Sequence, residues 1–136
     1  MTEKVLVVDD DKAFLQIMAE RMQNRGMEVS TVESAAAALQ IMEKESFDAV
    51  LQDLMMSEMG GIEAFQIMRE RQPEILVIFV SGHPSVSNGI EAMKDGAMDF
   101  IPKPVDMNDL IEKIKNAKAR RMILIEERSR EKSKKP

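Results

Sequence analysis

Ala49-Val50-Leu51-Gln52-Asp53-Leu54-Met55-Met56 is a short apolar run that ends abruptly in a carboxylate. A Met/Ser/Glu segment and the pair Gly60-Gly61 follow. A buried strand that ends in a charge does so where the chain surfaces at the edge of a sheet. In open α/β sheets that edge is where ligands bind. The bland alternative is that Asp53 only serves a turn, as Asp often does. The other strand ends decide between the two.

Upstream, Lys4-Val5-Leu6-Val7-Val8 is a β-branched run suited to a strand covered on both faces, and Asp9-Asp10-Asp11 ends it. Phe14, Ile17, Met18 and Met22 recur at helical spacing up to a stop at Gly26. Met27 to Val32 reads as a second strand, and Ser34 caps an alanine-rich helix with Leu39 and Met42 inward. Phe47 to Gln52 is the third strand. Downstream, Gly61 opens a helix with Ile62, Phe65 and Met68 that ends before Pro73. Ile75 to Val80 is the most strand-like run, broken by Ser81-Gly82-His83-Pro84. Val86, Ile90 and Met93 mark a fourth helix stopped by Gly96. Asp99-Phe100-Ile101 is a short fifth strand before the loop Pro102-Lys103-Pro104, and Asp106 caps a last helix with Leu110, Ile111 and Ile114 inward. Five strands alternating with five helices demand an α/β fold, a doubly wound five-stranded parallel sheet with helices on both faces. The common order for five strands is 2-1-3-4-5, which sets the carboxyl ends of strands 1 and 3 side by side.

The 136 residues suit one domain, with 44% apolar and 32% charged content. The absence of cysteine excludes disulfides, thiol catalysis and thiolate zinc sites and is compatible with a reducing cytoplasm. No signal-peptide pattern or membrane-length apolar run is present, so a cytoplasmic protein without a membrane partner is expected. Residues 118–136 hold eight Lys/Arg against three Glu, net +5, so residues 1–117 carry −10 of the total −5. An acidic body argues against a nucleic-acid surface.

The strand ends deliver Asp9 and Asp10, Asp53, Ser81 and Lys103 to one edge. Three clustered carboxylates repel and raise one another's pKa values, and a hard divalent cation makes such a cluster tolerable. Mg2+ suits it, since it takes a few carboxylate oxygens and keeps waters for incoming phosphate. An Asp facing that metal can attack phosphorus and form an aspartyl phosphate. Lys103 can supply positive charge to the transferred group and Ser81 a hydroxyl. Singly, each residue has an ordinary explanation: helix cap, turn residue, solvated lysine. Jointly they mark a site.

The chain resembles the receiver domain of bacterial two-component response regulators over residues 4 to about 118. The likeness rests on Val7-Val8-Asp9-Asp10-Asp11, on Asp53-Leu54-Met55-Met56 with Met59 and Gly61, on Ser81-Gly82, and on Gly96-Ala97-Met98-Asp99-Phe100-Ile101-Pro102-Lys103-Pro104. It implies the flavodoxin/CheY-like fold and a phosphorylation-dependent signalling switch that catalyses only its own phosphorylation and dephosphorylation. It makes Asp53 the phosphoacceptor, and Asp9 and Asp10 the metal carboxylates together with the Met55 backbone carbonyl. Ser81 matches the switch hydroxyl, Lys103 the lysine and Phe100 the switch aromatic. Met55 and His83 occupy positions that tune phosphate lifetime, although a solvated loop is the better reading of His83. Met55, Met56 and Met59 crowd the site and offer a docking patch. The implied partners are a sensor histidine kinase and a downstream effector, the latter through the face of helix 4, strand 5 and helix 5. The loop from Pro102 to Asp106 is similar to receivers attached to enhancer-binding transcription activators. Two departures stand out: Ser57 replaces the usual proline, and Phe100 lacks the hydroxyl of the frequent tyrosine.

Two rival readings fare worse. A haloacid-dehalogenase-type phosphatase would use Asp9-x-Asp11, but Lys12-Ala13 does not continue that motif and there is no room for a cap domain. A flavin binder needs a Ser/Thr-rich phosphate loop after strand 1, where three aspartates would repel the phosphate. Residues 1–118 are read as the receiver and 119–136 as an extension of the last helix and a basic tail. Met122 and Ile125 are expected to be buried, against a second chain in a homodimer or against their own domain, with disorder beyond Lys132.

Overall fold

The computed structural model describes residues 2–56, 59–82, 93–94 and 96–134, with side chains to residue 131. The strands are β1 (Lys4–Val8), β2 (Glu28–Val32), β3 (Ala49–Asp53), β4 (Val77–Ser81) and β5 (Asp99–Pro102). They form one sheet in the order β2-β1-β3-β4-β5, and every pairing is parallel. The helices are α1 (Lys12–Gln23), α2 (Ala35–Lys44), α3 (Gly61–Arg71) and a C-terminal helix (Met107–Lys134). The expected fourth helix over Val86 and Ile90 lies largely outside the described residues, as do Ser57 and His83.

The period of two along each strand divides the core. Leu6, Val8, Val50, Val77 and Phe79 face α2 and α3, where Ala38, Met42, Ala64, Phe65 and Met68 meet them. Val5, Val7, Leu51, Ile78, Val80 and Ile101 face α1 and the C-terminal helix, where Leu15, Met18, Met22, Leu110 and Ile114 meet them. Phe65 and Phe79 meet edge to face, 5.6 Å between ring centroids, worth about 1 kcal/mol beyond their burial. Caps set the helix starts. Asp11 Oδ1 accepts the N–H groups of Ala13 and Phe14, Ser34 Oγ accepts that of Ala37, and Asp106 Oδ1 those of Asn108 and Asp109.

The inward faces differ from expectation in detail. Ile17 is 47% exposed and Leu15 is buried in its stead. Leu39, Ile62 and Ile111 are only partly buried at the edges of the two clusters. β4 begins at Val77, not Ile75, because Val50 pairs with Val77. Ile75 sits in the preceding turn, its N–H on the Gln72 carbonyl.

The C-terminal helix passes Lys118 and is helical to Lys134, further than the disorder expected beyond Lys132. It lies under the amino-terminal edge of the sheet. Leu124 packs against Ala49, Leu76 and Ala117. Arg121 pairs with Asp48 at 3.5 Å and Arg128 with Glu74 at 2.9 Å. The expected burial of Met122 and Ile125 against their own domain does not occur, since they are 52% and 42% exposed. A helix offers one stripe to one neighbour, and the contacts of Ala117, Arg121, Leu124 and Arg128 turn that stripe away from both. The Glu126–Arg130 pair forms at 3.6 Å on the exposed side.

Candidate functional site

Topology brings the sequence-predicted residues to one edge. Asp9 follows β1, Asp53 ends β3, Ser81 ends β4 and Lys103 follows β5. Asp53 is in register with Val80, and Ser81 with Pro102. The Lys103 N–H donates to the Ser81 carbonyl at 2.8 Å, which fixes the start of the lysine beside the serine. The side chains of Asp9, Asp53 and Ser81 are buried, at 1%, 6% and 2% exposure, while Asp10 is exposed.

Asp9, Asp10 and Asp53 each offer a carboxylate oxygen, and these oxygens lie within 4.8 Å of one another. Lys103 Nζ stands 2.7 Å from Asp9 Oδ2. Asp9 Oδ1 accepts the Asp11 N–H at 2.9 Å, which holds the turn between β1 and α1. The Asp53 carboxyl is raised from 3.8 to about 6. Burial is the chief cause, followed by repulsion from Asp9. Lys103 and the Met55 N–H pull it back, and Asp10 adds a small push upward. That N–H is 3.4 Å from Asp53 Oδ1. The donor set consists of hard oxygens carrying more negative charge than Lys103 offsets, which fits a divalent cation such as Mg2+.

Asp11 is the N-cap of α1 and exposed. Its Oδ1 caps the helix, an ordinary structural role for the second carboxylate of the Asp9-x-Asp11 pair. Phe100 is partly buried against the α2/α3 cluster. Met55 is 64% exposed. Met56 and Met59 line a groove with Asp10, Glu33, Ser34, Ala35 and Ala36.

The roles of three residues at the site escaped the sequence reading. Gln52 is fully buried, and its Nε2 donates to the Asp53 carbonyl at 3.0 Å and to Met56 Sδ at 3.1 Å. A glutamine inside an apolar strand was the available signal. Its Oε1 has no hydrogen-bond partner among the described residues. Gly61 sits where a Cβ would run into the Asp53 carbonyl oxygen and lie 2.8 Å from Leu54 Cα, so glycine lets α3 start against the end of β3. Phe14, read as core, has its ring under the Lys103 ammonium, 4.0 Å from the centroid. Nothing in the sequence links those two positions.

The profile of the family described as the response regulator receiver domain matches residues 5–115. The chain belongs to the response regulator receiver family. Among curated proteins, this receiver is 35% identical over 127 residues to the transcriptional regulatory protein GlrR of Escherichia coli (strain K12), covering 93% of this chain and 29% of that protein. It is 33% identical over 106 residues to the photosynthetic apparatus regulatory protein RegA of Rhodobacter capsulatus, covering 78% of this chain and 58% of that one. The chain thus spans less than two thirds of these relatives. Among solved structures it is similar to a response regulator receiver domain protein from Clostridium thermocellum. The TM-score there is 0.85 at 34% identity, covering 90% of this chain and 98% of that one. NtrX from Brucella abortus gives 0.84 at 27% identity, covering 93% and 29%. Receivers act in two-component systems, where a phosphoryl-transfer switch is their general role. Among the described residues no helix is long and apolar enough to cross a membrane.

Proposed function

We propose that Asp53 is the phosphoacceptor of this receiver. The observation that carries the reading is a buried carboxylate grouped with Asp9 and Asp10 within 4.8 Å and bordered by a lysine. Asp53 attacks the phosphorus of a kinase phosphohistidine. A P–O bond forms as the P–N bond breaks, and the electron pair returns to the imidazole. Asp9, Asp10, Asp53 and the Met55 backbone carbonyl would hold Mg2+, which when bound supplies positive charge to the phosphoryl oxygens. Lys103 leaves its contact with Asp9 to share that charge, and Ser81 donates its hydroxyl to the transferred group. Ser81 and Phe100 then reposition, and the face made by the fourth helix, β5 and the start of the C-terminal helix changes its effector partner. Met55, 64% exposed, occupies a position that tunes the lifetime of the phosphate. The receiver proper is residues 1–118, and 119–136 is its extension.

Beryllofluoride or acetyl phosphate with Mg2+, followed by mass spectrometry of peptides, tests this. Modification at Asp53 alone, abolished by Asp53→Asn, is the expected result. Labelling of Asp9 instead would favour the phosphatase reading and sink this one.

A further inference from the structure

Phe14 stands in the first turn of α1, one turn from the carboxylate cluster. It is only partly buried, and it rests on the cluster that holds Val5, Leu51, Val80 and Leu110. Lys103 Nζ is 4.0 Å from its ring centroid and 2.7 Å from Asp9 Oδ2. We propose that Phe14 is a positioning residue whose ring face holds the Lys103 ammonium at the mouth of the Asp9–Asp53 site. The proposal rests on the reading of Lys103 as the group that meets the phosphoryl oxygens.

Lys103 is a long, flexible side chain that needs restraint at both ends. The backbone end of Lys103 is fixed by its N–H on the Ser81 carbonyl. Its stem runs past Gly82, where a Cβ would come within 3.7 Å of Lys103 Cδ. Among the described residues its head has two seats, the Asp9 carboxylate and the Phe14 ring. Asp9 belongs to the carboxylate cluster and is needed there, so in the working state the first seat is shared or lost. An ammonium without a second seat swings into water, because a lysine head is strongly hydrated and its stem has many rotamers. The negative face of an aromatic ring attracts a cation within about 6 Å of its centroid. It does so without competing as an acid or a metal ligand. It also excludes water from one side of the charge, which strengthens the field Lys103 exerts across the site. Leucine or methionine would fill the same space against the core but would offer no such seat.

The test separates the ring's charge distribution from its volume. In the full chain, phenylalanine 14 is replaced site-specifically by its mono-, di- and trifluorinated analogues, which keep the shape and progressively weaken the cation attraction. Phosphorylation by acetyl phosphate with Mg2+ is timed, and thermal melting is recorded alongside. The rate should fall stepwise with fluorination, by about three- to tenfold at the trifluoro analogue, with melting lowered by at most a few degrees. Phe14→Leu should slow it at least as much. In a Lys103→Met background the rate should be low already, and the dependence on fluorination should vanish. A flat series at intact melting, with Lys103→Met slow, overturns the role of Phe14 and leaves that of Lys103 standing. A fluorination effect that persists in Lys103→Met overturns it too, since the ring would then act by another route. A Lys103→Met protein phosphorylated at the native rate overturns the reading of Lys103, and this proposal with it.

Discussion

Lys103 Nζ and Asp9 Oδ2 are 2.7 Å apart, an ion pair spanning 94 residues of sequence at the sheet edge. Asp9 is 1% exposed and Lys103 21%. Removing one partner of such a pair leaves a buried charge unmet. Lys103→Met is expected to destabilise the metal-free protein by about 2 kcal/mol or more. Mg2+ should narrow that deficit, because a cation on Asp9 replaces the lost one. Denaturant melts with chelator and with Mg2+ check this, and an equal deficit in both would disprove it.

Asp53 has a folded pKa of about 6 against 3.8. The folded chain therefore binds more protons than the unfolded one between those values, so this group costs stability above pH 6, and the cost disappears as pH falls to about 4. Asp53→Asn should stabilise the metal-free protein at pH 7.5 by roughly 1–2 kcal/mol, less than the full shift implies because the site opens to water. The gain should vanish near pH 4. The phosphorylation rate should drop below about pH 6 at low Mg2+, and saturating Mg2+ should move that limb to lower pH. Paired melts and rates across pH measure both.

Asp10 is exposed and adds to the repulsion on Asp53. Because Asp11 and not Asp10 caps α1, Asp10→Asn should weaken Mg2+ binding severalfold while raising metal-free melting slightly. Calorimetric titration and a melt decide it, and a clear fall in metal-free melting would contradict it.

Gly61 is pressed against the Asp53 carbonyl and Leu54 Cα. Gly61→Ala must push α3 away from β3. A loss of about 1–3 kcal/mol is expected, together with slower phosphorylation, since the same backbone carries Asp53. A native rate would show that the site tolerates the shift.

The C-terminal helix contributes Leu124, Arg121 and Arg128 to the underside of the sheet. A chain ending at Lys118 should melt several degrees lower. Sedimentation of both chains also tests whether the exposed Met122, Ile123 and Ile125 pair with a second copy. A monomer in both cases removes the homodimer.

The fold was legible because its signals are local. β-Branched runs ended by Asp or Ser made the strands, Ser34 and Asp106 announced their helices, and the alternation left one common topology. From that topology, the grouping of Asp9, Asp10, Asp53, Ser81 and Lys103 at one edge followed without coordinates. The sequence by itself therefore determined the architecture and which strand-end residues share that edge. It did not determine the phase of α1, where Leu15 and not Ile17 is buried, nor that of the C-terminal helix, where Leu124 is turned inward and Met122 outward. Adjacent apolar residues on a helix are equivalent until a neighbour selects one stripe. Nor did it assign Asp11 to the cap, Gln52 to the loop after β3, or Phe14 to the lysine. The last is a contact between segments far apart in the chain, and the other two turn on backbone geometry at the strand ends, which only the packed tertiary structure sets.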